Sequence, residues 1–409
     1  MNIFDTLNFI IMKHAFLLFS LFSFFTFSQN NEGLIILNEG YYDYSNEEVV
    51  EPVSIGVFDM DSQIYEEVII IDEVRFASDM IVDGDFLYIA ADSRVLKYDL
   101  YSFELLSQVE VQGVRNLLIH NENLYLSRGD YDYTTFSLIV FDSYLQIYDK
   151  NSLALLNELD TINGPKWSTQ NLVIKDDLVY VAINNGFEWG NEKGLIGVLD
   201  ANTFDYLYEI DLGENGKNPD NMMVKGDYII TVNNKDWSGS SISRISLIND
   251  EVVTEDLSEL STGCGTSTLR GDYLNYQISG GDSLYKFDFE NMETLGVEEG
   301  IDLNFYEIIE GVDNYLYASN TDFFSYGDVY VYDDQNNLVN NFDVGVTPGK
   351  LEFFSLNNNQ SSILEHSFLN QKLIKKINLL GQESTVDQSF GIQILIFENG
   401  LVRKLFQAN

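Results

Sequence analysis

Short apolar runs recur along the chain, separated by turns rich in Gly, Asn and Asp. One pattern returns at nearly even intervals: an apolar strand ending in an aromatic residue or Leu, then Asp. It reads Val57-Phe58-Asp59, Lys97-Tyr98-Asp99, Ile147-Tyr148-Asp149, Val198-Leu199-Asp200, Lys286-Phe287-Asp288 and Val331-Tyr332-Asp333. Ile245-Ser246 keeps the place of the missing member without its acid. The spacings are 40, 50, 51, 46, 42 and 45 residues. A second marker precedes the last six: Gly84-Asp85, Glu122-Asn123, Asp176-Asp177, Gly226-Asp227, Gly271-Asp272 and Asp313-Asn314, each entering an apolar strand. Gly, Asn and Asp accept the positive φ that tight hairpin turns require.

Each unit therefore predicts four antiparallel strands; in one of them these are Asn171–Ile174, Leu178–Ile183, Leu195–Leu199 and Tyr206–Ile210. A four-stranded unit repeated every 40 to 50 residues is the blade of a β-propeller. Near-continuous apolar strands such as Val68 to Ile71 fit sheets covered on both faces by their neighbours. The first unit offers only three strands, Leu34–Leu37, Ile55–Phe58 and Glu66–Ile71, and lacks an innermost one. The segment from Pro348 to Phe354 fits that gap, so one strand from the end and three from the start would seal the ring and hide its edges. The expectation is an all-β chain: a seven-bladed β-propeller closed by a C-terminal strand, plus a small β-rich tail. An open solenoid or a pair of sandwiches would not leave such complementary remnants at the two ends.

Composition narrows the function. The chain has 65 acidic against 22 basic residues, a formal net charge of −43. Such a field repels nucleic acid and anionic membranes. With 45% hydrophobic residues the chain is no disordered acidic tail. One cysteine, Cys264, permits no intrachain disulfide, and with only His120 and His366 beyond the leader that holds His14 it cannot build a Cys/His zinc site. No cofactor, no membrane insertion and a monomer are expected.

The two ends differ from the middle. After Lys13 and His14 comes the apolar run Ala15 to Phe27, then Ser28 and Gln29. This predicts a secretory signal peptide over 1–28, with Met12 as the true start and cleavage before Gln29. Lys13 and His14 interrupt the stretch a transmembrane anchor would need. Residues 29–358 carry 16 basic and 60 acidic groups, whereas 359–409 carry five basic and four acidic. That shift marks a boundary, and the expected division is 29–356 for the propeller and 357–409 for the tail.

Residues 34–354 resemble the seven-bladed propellers of the YVTN or surface-layer type found in secreted Bacteroidetes proteins. The likeness rests on Leu37-Asn38-Glu39-Gly40, on the strands Leu87–Ala90 and Val179–Ala182, and on Val198-Leu199-Asp200-Ala201-Asn202-Thr203-Phe204. The Pro-Arg usual in that family before an inner strand is here Val114-Arg115. The stretches Lys375–Glu383 and Ile396–Lys404 resemble the C-terminal sorting domain of the type IX secretion system, with Asn378 and Gln382 where that family has Asp and Arg. The resemblance implies a secreted or cell-surface protein exported through the periplasm, its tail read by the secretion machinery.

Aromatic residues point to the candidate site. In a blade, the loop between the second and third strands emerges on the same face as the link into the next blade. Tyr42, Tyr44, Tyr131, Tyr133, Phe187, Trp189, Trp237, Phe324 and Tyr326 fall in such loops, and Trp167 on a link. Aromatic rings around a funnel stack on sugars, flat rings or cations, and neighbouring carboxylates favour cationic or hydroxyl-rich groups. The bland reading is that the rings pack on one another to hold long loops. Arg270-Gly271-Asp272 occupies a hairpin-turn slot, and Gly263-Cys264-Gly265-Thr266 lacks the Lys of a phosphate loop.

Three functions follow. The first is a non-enzymatic binding propeller that takes a small molecule, a glycan or a surface protein through its aromatic, acidic face. The second, implied by the resemblance, is capture of cobalamin or another corrinoid for a TonB-dependent receptor. The third is a calcium-dependent hydrolase or lactonase, with Asn184, Asn233 and Asn320 near the blade mouths. An apolar aromatic funnel would favour binding; carboxylates converging on the axis would favour hydrolysis.

Overall fold

The structure, a computed structural model, describes residues 32–135, 137–258, 261–263 and 266–355, and the strands Leu373–Asn378, Gly391–Phe397 and Val402–Gln407. The leader segment 1–28 and Cys264 lie outside the described residues. Among these residues are seven four-stranded antiparallel sheets, the blades of the expected propeller. Blade 4 is typical, with strands Thr169–Lys175, Leu178–Ile183, Leu195–Asp200 and Tyr206–Asp211 from axis to rim. Blade 1 closes the ring. Its innermost strand is Pro348–Ser355, followed outward by Glu32–Asn38, Val53–Asp59 and Ile64–Ile71. Leu34 faces Phe353 and Ile36 faces Leu351 across that seam. The strands Leu373–Asn378, Gly391–Phe397 and Val402–Gln407 form a separate three-stranded antiparallel sheet in the tail.

The recurring Asp is a turn device. Asp200 Oδ1 accepts hydrogen bonds from the Asn202 and Thr203 amides at 2.8 and 3.0 Å. Asp59, Asp99, Asp149, Asp288 and Asp333 accept in the same way. Each caps the turn between the third and outermost strands of its blade. Arg270-Gly271-Asp272 is a hairpin turn as expected, with Gly271 at φ 58°.

Seven apolar clusters fill the seven junctions between blades. Strand periodicity explains the near-continuous apolar runs. Along the second strand of blade 2, Leu87, Ile89 and Ala91 enter the junction with blade 1, while Tyr88 and Ala90 enter that with blade 3. Both faces are buried, so neither can be polar.

Candidate functional site

The site arises where the inner strands begin. In blades 2 to 5 the pairing of innermost and second strands slips at its first residues, between Ala77 and Asp79, Val114 and Leu117, Thr169 and Leu172, and Pro219 and Asn221. Such bulges re-aim side chains. Here Ser78, Arg115, Gln170 and Asp220 come to line the mouth of the central channel. The cavity there measures about 280 Å³. Glu39, Lys350, Tyr306 and Glu307 line it from blades 1 and 7, and Asn184, Phe187, Asn218 and Trp237 from the links and loops of blades 4 and 5. Loop and link residues thus meet at one mouth, as the blade geometry predicts.

The next position in each bulge mainly ties blades together. Asp79 accepts the Leu117 amide of blade 3 at 2.8 Å and pairs with Lys350 of blade 1 at 3.4 Å. Asn171 accepts the Met222 amide at 3.3 Å, and Asn221 donates to the Ser267 carbonyl at 3.1 Å. The first bulge position lines the cavity, although Ser78 Oγ also donates to the Arg115 carbonyl of blade 3 at 2.6 Å. Arg115 lies against the Phe187 ring, 5.2 Å from its centroid, and its Nε donates to Gln170 Oε1 at 3.3 Å. Asp220 accepts from Asn234 Nδ2 at 3.0 Å. Tyr306 donates its hydroxyl hydrogen to Glu39 Oε1 at 3.0 Å. Gly349 makes room for that carboxylate, since a Cβ there would stand 1.8 Å from Glu39 Oε1.

The channel changes the acidity of these groups. Glu39, Glu307 and Asp220 keep part of their surface on the cavity, but protein surrounds them. Loss of water pushes Glu39 up to about 7, against the Tyr306 hydrogen bond and the Arg115 charge, with Glu307 adding to the rise. Burial lifts Glu307 to about 7, opposed by Lys350 and reinforced by Asp79. Asp220 rises to about 6 for the same first reason, opposed by Arg115 and Asn234. Glu352 also reaches about 7 through burial, although both its carboxylate oxygens accept from the Val82 amide at 3.1 Å. Lys350, held by the charge of Asp79, is shifted upward.

The funnel is therefore polar rather than apolar and aromatic. Glu39, Asp79, Asp220 and Glu307 converge on it, the arrangement set beside hydrolysis in the sequence analysis. The bulges turn polar side chains from several blades toward the axis, and most candidate rings pack elsewhere. Tyr44 stacks on Tyr133 at 4.4 Å, with Tyr42 and Tyr131 edge-on to them. Those four rings join the hairpins Tyr41–Asp43/Glu48–Glu51 and Asp130–Asp132/Ser137–Ile139, reaching from blades 1 and 3 across blade 2. For them the loop-packing reading describes the contacts. Phe324 meets Tyr41 edge-on at 5.2 Å, and Tyr326 is 64% exposed. Trp167 lies beside Lys193, whose Nζ is 5.0 Å from the ring centroid, and Trp189 is 85% exposed. Phe187 and Trp237 alone of the ten candidates line the cavity. Of the three asparagines, Asn184 lines it, whereas buried Asn233 binds Ser241 and Ser243 and Asn320 bonds the Asn304 carbonyl.

Sequence reading missed Glu39, Arg115, Asp220, Glu307 and Lys350 as site residues. A signal existed. Ser78-Asp79-Met80-Ile81-Val82, Arg115-Asn116-Leu117-Leu118-Ile119, Gln170-Asn171-Leu172-Val173-Ile174 and Asp220-Asn221-Met222-Met223-Val224 repeat one pattern, two polar residues before three apolar ones. Glu39 and Arg115 stood inside stretches that mark the fold.

No protein-family model matches the chain, and no curated protein resembles it in sequence. Solved structures resemble it in shape. A protein of Bacteroides fragilis named as a candidate 6-phosphogluconolactonase is 15% identical, with a TM-score of 0.56 over 80% of this chain and 99% of that one. The hydrazine synthase of Kuenenia stuttgartiensis is 13% identical, with a TM-score of 0.53 over 72% of this chain and 90% of that one. At such identity the likeness is one of fold. The chain is a seven-bladed β-propeller whose polar channel mouth is its candidate site.

Proposed function

We propose that this is an exported, non-enzymatic binding propeller that takes a small hydroxyl-rich or cationic molecule at the mouth of its central channel. The observation that carries this reading is the cavity itself. Six blades deliver charged and amide groups to it, and the Phe187 and Trp237 rings also line it. Two of its buried amide atoms, Asn116 Oδ1 and Asn218 Nδ2, have no hydrogen-bond partner in the protein. Buried polar atoms are seldom left in that state, and the hydroxyl groups of a ligand would satisfy them. A cavity of about 280 Å³ suits a small molecule or one end of a larger one. A corrinoid would have to lie across the exposed rings instead. The leader and the sorting-type tail support placement at the cell surface.

Titration with neutral and amino sugars, read by tryptophan fluorescence, tests the proposal. Trp237, 45% exposed at the cavity, should report binding. Trp237→Ala should weaken affinity about fivefold or more, because a stacking contact is worth roughly 1 kcal/mol beyond its area. Trp189→Ala should leave affinity nearly unchanged, since that ring does not line the cavity. A response that survives Trp237→Ala intact removes the site from the channel mouth.

One observation favours a second reading. Glu39, Glu307 and Asp220 share a cavity and titrate near neutrality, a property of general acids and bases. Hydrolysis of a lactone or glycoside is the corresponding reaction. Among the described residues no group of three or more His, Cys, Asp or Glu is placed to hold a metal ion. Turnover of a lactone by the wild type, abolished in Glu307→Gln, would replace the binding reading.

A further inference from the structure

The cavity carries more acid than base. Lys350 is engaged by Asp79, and Arg115 by Phe187 and Gln170. Three carboxyls remain, Glu39, Asp220 and Glu307, and they receive one hydrogen bond from Tyr306 and one from Asn234. The Glu307 carboxylate accepts none among the described residues. Glu39 and Glu307 lie close enough to repel one another. Four acids against two bases line the mouth, within a chain of net charge −43.

A second observation is independent of that charge. Asn218 is 2% exposed, lines the cavity, and leaves Nδ2 without a partner, while Asn116 Oδ1 is an unused acceptor. The cavity thus asks for a ligand that donates several hydrogens to carboxylates and an amide oxygen, and that accepts one from an amide nitrogen. An ammonium group beside hydroxyl oxygens has those properties. The Trp237 ring at the cavity adds attraction for a cation.

We propose that the channel mouth selects an amine-bearing, hydroxyl-rich molecule of the amino-sugar class, its ammonium held between Glu39 and Glu307 and its frame against Phe187 and Trp237. This inference rests on the binding reading above and goes beyond it by naming the charge of the ligand. Asp79, Arg115, Asp220, Lys350 and Tyr306 are the other ionisable groups facing that pocket.

Glucose, N-acetylglucosamine and glucosamine share one ring and differ in the ammonium group, so they form the test series. Near pH 7, with calorimetry and Trp237 fluorescence as readouts, glucosamine should bind about tenfold more tightly than either neutral sugar, equivalent to roughly 1.4 kcal/mol. Glu39→Gln with Glu307→Gln should erase that preference and leave the weaker neutral binding in place; circular dichroism confirms that the double variant folds. Trp237→Ala should weaken all three sugars alike. Equal affinity for the three overturns the amine preference while the binding site stands. No response from any of them, or a response to calcium alone, overturns both.

Discussion

A carboxyl group that lines a narrow channel loses water without gaining a donor, and Glu307 is held in that condition. Its folded-state value of about 7 lies above the ordinary 4.5. Between those values the native state holds more protons than the unfolded chain, so stability falls as pH rises through that window. Glu39 acts in the same direction. The turn aspartates act oppositely: hydrogen bonds to backbone amides and nearby side chains hold Asp149, Asp288 and Asp333 below the usual range. Their contribution is present above the unfolded value and is lost only in more acidic solution. Glu307→Gln should therefore raise the melting temperature near pH 7.5 by on the order of 2 °C. The gain should vanish below about pH 5, where the native carboxyl is protonated anyway. Melting curves at the two pH values check this, and a gain of the same size at both would contradict it.

At the scale of the element, closure depends on one strand. Pro348–Ser355 supplies buried Leu351 and Phe354 to the seam and pairs with Glu32–Asn38 along its length. Ending the chain at Thr347 removes those side chains and opens a sheet edge, a loss on the order of several kcal/mol. Ending it at Gln360 keeps the seam. The shorter form should melt well below the longer in calorimetry, and coincident transitions would show that the seam contributes little. The bulges at the starts of the inner strands are elements of another kind. They place Arg115, Gln170 and Asp220 on the cavity while Asp79, Asn171 and Asn221 bind the next blade. The same short segment both builds the ring and furnishes its mouth.

At the scale of the molecule, the proposed export makes a prediction about processing. The excess of acid lies in residues 29–358, and the tail is nearly neutral. Under the export proposed above, that tail would be a removable address. Material recovered from outside the cell should begin at Gln29 and end near Asn359. Intact-mass measurement decides it: exported protein that retains Lys372 to Asn409 speaks against a cleaved sorting tail.

Much of this architecture was legible in the chain because its causes are local. An aspartate that caps a turn reaches only two to four residues ahead, so the caps at Asp59, Asp99, Asp149, Asp200, Asp288 and Asp333 print a countable period. Burial on both faces likewise writes itself as continuous apolar strands, and the three-strand start with its matching end announced the seam. The channel mouth has no such signature. Tyr306 and Glu39 are 267 positions apart, and their hydrogen bond exists only because blades 7 and 1 meet when the ring closes. Sequence supplied the aromatic residues of the upper loops; tertiary packing sent Tyr44 onto Tyr133 and left Phe187 and Trp237 at the cavity. Pattern along a chain records interactions a few residues long, whereas desolvation and charge at an axis depend on side chains that only closure brings within reach.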